Sequence, residues 1–430
     1  MVRRPIARVE PDLEGYLQKL FFRRQIATAG DAGDQRLGDE AGNVRPARQE
    51  RVELAGLLQH RHVGAKKIWL GAVVIGAGGQ RGEGGNGENL NNKLLHAGPL
   101  PDFFPAVIYG GMAVYTEVTD EACEAFLRLY DIGQLVAFRG IAEGVENSNY
   151  ALKTTQGDFI LTLYEQRVDP AELPWFLGLM EHFSAHGISA PRPVRGRDGA
   201  NLNPLAGRIA AITTFLPGVW PRRVQVAHCG PLGAALAKLH LAGAGFLPTR
   251  RNALGPSGWA PLLAKCLPRA DEIQPGLGAE LTEALKTILA AWPAQLPTGH
   301  IHADLFPDNV FFLDGKISGL IDFYFAATDL LAYDVAVCLN AWCFERDFSF
   351  NVTKSQALLR AYDSIRKLNQ AERAALPILA QGAAIRFLLT RLYDWQNTRE
   401  GALVTPKNPI DYIRRLRFHR AAVSAAAYGL

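Results

Sequence analysis

The chain has 430 residues, with 46 lysines and arginines against 42 aspartates and glutamates, a net charge of +4. That near balance gives no reason to expect nucleic acid or an anionic membrane as a partner, and 48% hydrophobic with 20% charged residues suits a globular protein. Five cysteines without a C-x-x-C spacing argue against a zinc site or a disulfide framework and for reduced thiols in the cytoplasm.

The N-terminus starts basic but lacks the continuous apolar stretch of a signal peptide. No uncharged apolar run approaches the ~18 residues that a membrane span needs. Residues 1–111 hold 18 of the 42 glycines, with arginines scattered at no helical or strand period. The run Ile68–Ile75 is long enough for one strand. Within it, Val73-Val74-Ile75-Gly76-Ala77-Gly78 begins like a dinucleotide-binding turn, but Arg81 stands where a third small residue is needed, so no nucleotide site is expected there. The composition predicts a low-complexity or disordered extension over 1–111, with the functional chain starting at Met112 and the upstream segment a misassigned start.

From Met112 the texture changes. Thr119, followed by Asp120 and Glu121, is a helix N-cap. Leu135–Gly140, Ser148–Thr155 and Phe159–Glu165 read as strands, with Gln156-Gly157-Asp158 as a tight turn. A helix is expected over Leu173–His186, ended by Gly187, and a strand over Arg208–Thr214. Phe215-Leu216-Pro217-Gly218 is a hinge. Helices follow at about 226–243, 278–292, 329–345, 353–366, 371–395 and 409–425. This predicts an α+β chain in two lobes: β-rich over 112–217 and helical over 218–430.

The segment Gly299–Phe312 carries His302-x-Asp304-x-x-x-x-Asn309, and Asp322 follows thirteen residues after Asn309. The apolar runs Val310–Leu313 and Ile317–Ile321 flank Asp314-Gly315, a hairpin turn signal. Such a hairpin brings Asn309 and Asp322 to one place. Phosphoryl transfer needs a carboxylate to orient the acceptor hydroxyl, assigned to Asp304, and hard oxygen ligands for magnesium, assigned to Asn309 and Asp322. His302 is expected to order the loop. A second signal, Arg139–Tyr150, places Gly140 and Gly144 among small polar residues between two strands, where backbone amides can cover phosphates.

The His302–Asn309 segment resembles the catalytic loop of the aminoglycoside-phosphotransferase-like kinases, relatives of protein kinases. Ile321-Asp322-Phe323 stands where a protein kinase has Asp-Phe-Gly, and Asp334 matches the helix that follows in the family. The resemblance implies a bilobal protein-kinase-like fold, ATP and Mg2+ as cofactors, and a structural role for Asp334. Nucleotide contacts fall to Gly140, Gly144, Asn147, Asn149, Thr162 and Thr214. The stretches 139–150, 159–165 and 187–193 further resemble the bacterial homoserine kinases of this type. That implies a small-molecule partner, L-homoserine, and a step toward threonine.

One departure stands out. Thr162 occupies the place of the lysine that reaches the phosphates in protein kinases, so another cation is needed, with Lys153 a candidate and Glu181 left without the usual lysine partner. Arg386 or Arg391 could fork the homoserine carboxylate, and Tyr324 and Trp342 are further acceptor-site candidates. The alternatives are a kinase for an aminoglycoside, choline or a sugar, and a nucleotide-binding pseudokinase. A protein kinase is disfavoured, because no Ala-Pro-Glu follows Asp322.

Overall fold

Alternating apolar residues build the first lobe. A computed structural model describes residues 116–141, 147–165, 169–398 and 406–430. The run Ile68–Ile75, the glycines that follow it, Met112 and Gly144 lie outside them. Helix α1 (Asp120–Leu127) is capped by the Thr119 hydroxyl, which accepts from the Ala122 amide. Five antiparallel strands follow: β1 (Leu135–Gly140), β2 (Ser148–Thr154), β3 (Gly157–Tyr164), β4 (Asn203–Leu205) and β5 (Arg208–Thr214). Their order across the sheet is β1-β2-β3-β5-β4. Helix α2 (Leu173–Ala185) sits between β3 and β4 in the chain.

Period-two burial decides what each face does. Tyr150, Leu152, Leu161, Leu163 and Ile212 pack with Cys123, Phe126 and Leu127 of α1 into a small core. Residues of the other parity, including Asn149, Thr162 and Tyr164, form the opposite face, and Tyr164 belongs to the main core. The turn between β2 and β3 is tighter than expected. Thr154 already pairs with Gly157, so Thr155 and Gln156 alone make the bend.

After the hinge come α3 (Val226–Gly243), α4 (Pro256–Cys266) and α5 (Leu277–Ala291). Strand β6 (Thr298–Ile301), the hairpin β7 (Val310–Leu313) and β8 (Lys316–Leu320), and β9 (Ala327–Leu330) carry the site. Helices α6 (Leu331–Trp342), α7 (Val352–Ile365), α8 (Gln370–Asn397) and α9 (Ile410–Ala421) complete the lobe. Gly233 lets α3 meet α7 closely, since a Cβ there would collide with the Leu358 carbonyl.

Helix α4 and strands β4, β6 and β9 go beyond the sequence expectation. Helix α4 contains Pro261, which reads as a breaker in a sequence. Strands β6 and β9 are four residues each and pair with one another across the intervening hairpin, so neither has a local partner. Helix α8 is long and apolar enough, by length and composition, to cross a membrane, and most of it is buried inside the protein. It packs against α4, α6 and α9, which accounts for its composition. All five cysteines are free and buried.

Candidate active site

The site grows from the end of β6. His302 and Ala303 leave the strand with their backbone amides aimed at one carboxylate. The His302 amide donates to Asp334 Oδ2 at 2.7 Å and the Ala303 amide to Asp334 Oδ1 at 2.9 Å. Asp334 is fully buried in the first turn of α6. Its Oδ2 also lies 3.2 Å from His240 Nε2, and His240 Nδ1 is 2.7 Å from the Tyr362 hydroxyl. Burial alone would raise the Asp334 carboxyl; the hydrogen bond to His240 and the one donated by the His302 backbone amide hold it below the usual range.

Ala303 adopts a left-handed conformation with φ 62°, which an alanine takes only when its surroundings fix it. The surroundings are the Asp334 carboxylate on one side and Arg386 on the other. The Arg386 guanidinium donates to the Ala303 carbonyl and lies 3.8 Å from Asp304 Oδ1. It also covers the Phe387 ring at 4.1 Å and the Phe325 ring at 5.3 Å. Arg386 is 2% exposed.

The Asp304 amide donates to His302 Nδ1 at 3.3 Å, and His302 Nε2 donates to the Ile321 carbonyl at 3.0 Å. A ring nitrogen that accepts is unprotonated, so His302 is neutral, in keeping with burial pulling its proton affinity down. It orders the loop and ties it to the residue before Asp322. Trp342 Nε1 donates to the Leu305 carbonyl at 2.8 Å, a packing role inside the lobe.

Asn309 closes the loop. Its amide nitrogen donates to the Asp304 carbonyl at 2.8 Å and reaches Asp304 Oδ2 at 3.3 Å. The Ile321 amide donates to the Asn309 carbonyl at 3.0 Å, so the β7–β8 hairpin joins Asn309 to the neighbour of Asp322. The hairpin turns on Asp314 and Gly315, with φ 50° and 76°, the left-handed pair that a two-residue turn demands. Asp322 is left-handed as well, at φ 65°. Burial pushes the Asp304 carboxyl up, while the Arg386 guanidinium pulls it down.

The sheet residues form their own network. The Thr162 hydroxyl donates to Asn149 Oδ1 at 2.8 Å, and Asn147 Oδ1 accepts from the Glu165 amide at 3.3 Å. Gly140 ends β1 opposite Tyr150. The Tyr164 and Tyr324 hydroxyls are 2.9 Å apart and bridge the sheet to the turn after Asp322. The Thr214 hydroxyl accepts from the Arg192 amide at 2.9 Å, beside the hinge. Lys153 shares the face of Asn149 and Thr162 but lies at the hinge end, opposite Asp158, whose carbonyl takes the Phe215 amide. The structure does not bring it beside Thr162. Glu181 pairs with exposed Arg195 at 2.8 Å. Arg391 pairs with Asp411 at 3.3 Å and does not join Asp304.

Sequence reasoning missed His240 and Tyr362, which stand behind Asp334. A faint signal existed: His240 continues the apolar spacing Leu232, Leu236 along α3, where a histidine needs buried partners.

The model of the phosphotransferase enzyme family matches residues 137–368. The chain belongs to that family. It is thus an enzyme of the phosphotransferase class. It is similar to the homoserine kinase of Acidiphilium cryptum, at 73% identity over 319 residues, which cover 74% of this chain and 100% of that protein. The homoserine kinase of Granulibacter bethesdensis is 71% identical over the same shares. Among solved structures, an amicoumacin kinase in complex with AMP-PNP and Ca2+ has a TM-score of 0.55 at 14% identity, over 71% of this chain and 94% of that one. A spectinomycin phosphotransferase with bound ADP has 0.51 at 11% identity, over 72% and 97%. These two share the fold.

Proposed function

We propose that the chain transfers the γ-phosphate of ATP to the side-chain hydroxyl of L-homoserine, giving ADP and O-phospho-L-homoserine. The observation that carries the transfer is the loop around Asp304, fixed from three sides by Asp334, Arg386 and Asn309. The identity to two homoserine kinases over their whole length supports the acceptor.

Asp304 accepts the hydrogen bond of the acceptor hydroxyl and orients its oxygen. As the new oxygen–phosphorus bond forms, the bond from the γ-phosphorus to the bridging oxygen breaks and ADP leaves, while the hydroxyl proton passes to Asp304. The donor set fits magnesium. Asn309 uses its nitrogen on Asp304, which leaves its carbonyl oxygen for a metal, and Asp322 adds a carboxylate. Magnesium, when bound there with the nucleotide, neutralises phosphate oxygens. Gly140, Asn147, Asn149 and Thr162 shape the phosphate end of the sheet, and Thr214 leads into the hinge.

The test is ADP release with ATP, magnesium and a panel of L-homoserine, L-serine, choline and kanamycin. Turnover with L-homoserine above all others is expected. Turnover with another acceptor alone would keep the transfer and discard homoserine.

A further inference from the structure

Homoserine carries an ammonium and a carboxylate on the carbon two methylenes from its hydroxyl. With the hydroxyl at Asp304, both charges lie about 5 Å away. Each needs an opposite charge if it is to leave water without a large penalty. Arg386, expected from sequence to hold the carboxylate, is committed to Ala303 and Asp304. Arg391 is committed to Asp411 and the Asn408 carbonyl, and Arg415 to the Asn340 carbonyl at 2.6 Å.

A different pair stands beside the catalytic loop. Lys407 Nζ lies 3.7 Å from Asp308 Oδ2, too far for a hydrogen bond, and both side chains are more than half exposed. Lys407 also sits 5.6 Å from the Phe306 ring centre. Asp308 is in the short turn between Asp304 and Asn309. Asp308 directly precedes Asn309, whose amide nitrogen lies 3.3 Å from Asp304 Oδ2, so the pair flanks the loop that holds the catalytic carboxyl.

We infer that Asp308 and Lys407 read the charged end of the acceptor, Asp308 taking the ammonium and Lys407 the carboxylate. This rests on the acceptor being L-homoserine. The loosely held pair exchanges its mutual attraction for two pairs with a zwitterion, so the local net charge stays constant. An acceptor with only one of the two charges leaves one side chain unanswered, which is a source of discrimination.

The experiment measures KM for L-homoserine, KM for ATP and kcat in the wild type, Asp308→Asn and Lys407→Met, with thermal midpoints as a check on folding. The expected result is a rise of about 10- to 100-fold in the homoserine KM of each variant, as for lost charged hydrogen bonds, with the ATP KM within about two-fold. A homoserine KM unchanged in both variants overturns the subsite, as does an equal rise in both KM values. In either case wild-type turnover leaves the functional reading standing. A wild type inactive on homoserine would fail the functional reading, and the subsite with it. Competition by 3-amino-1-propanol and by 4-hydroxybutyrate assigns the charges. Lys407→Met should leave inhibition by the amine unchanged, and Asp308→Asn inhibition by the acid; the reverse pattern contradicts the assignment.

Discussion

Arg386 donates to the carbonyl of Ala303, the left-handed residue immediately before Asp304. A cation on α8 thereby fixes the backbone that aims the catalytic carboxylate. The same guanidinium lies 3.8 Å from the Asp304 side chain, so it serves position and charge together.

Replacing Arg386 with methionine should therefore lower kcat by ~100-fold or more, since small misplacements at a reacting centre cost that much. It should also destabilise the fold by roughly 2–4 kcal/mol, because Ala303 and Asp304 lose a buried partner. The homoserine KM should change little. Steady-state kinetics and urea unfolding check this; a large KM rise with kcat intact would return Arg386 to the substrate.

Asp334→Asn tests the other side of the loop. An amide offers one acceptor oxygen where the carboxylate serves both the His302 and Ala303 amides. The nitrogen then faces a donor. A loss of about 2–4 kcal/mol is expected, read as a lower urea midpoint.

Acid sensitivity has a definite source. His419 is fully buried, with Nδ1 3.0 Å from the Tyr428 hydroxyl and Nε2 3.2 Å from Asn340 Oδ1. Burial, with help from the Arg415 charge, brings it down to about 3. Between that value and the unfolded value of about 6.5, the unfolded chain holds one more proton at this group. Stability from His419 is thus complete above about pH 6.5 and falls as pH drops, by up to ~1.4 kcal/mol per unit. Urea unfolding at pH 7, 6 and 5 should show the decline, and His419→Gln should flatten it. An unchanged slope in the variant would assign the acid loss elsewhere.

Lys153→Met addresses the missing phosphate lysine. Lys153 lies at the hinge end of the sheet, while Thr162 bonds Asn149 at the loop end. The ATP KM should stay within about two-fold, the range of a surface change. A rise of tenfold or more would bring Lys153 back to the phosphates.

The catalytic loop was legible because its chemistry is local: His302, Asp304 and Asn309 fall within eight residues, and Asp314-Gly315 announces the hairpin that carries Asp322. The strands β1 to β3 and β5 showed in their period-two pattern. What could not be read depends on long-range partners. Strands β6 and β9 are too short to show a period. Arg386 looked available for a substrate because a sequence shows its charge but not the Ala303 carbonyl 83 residues away. Lys407 drew no attention, since 99 residues separate it from Asp308 and alone it is an ordinary surface charge.

The most direct test of the central claim is ADP release with L-homoserine, ATP and magnesium, comparing the wild type with Asp304→Asn. Removal of a positioned proton acceptor typically costs ~10²- to 10⁴-fold. The account predicts turnover in the wild type and a loss of that size in the variant, with its thermal midpoint preserved. Equal rates in the two proteins would contradict it.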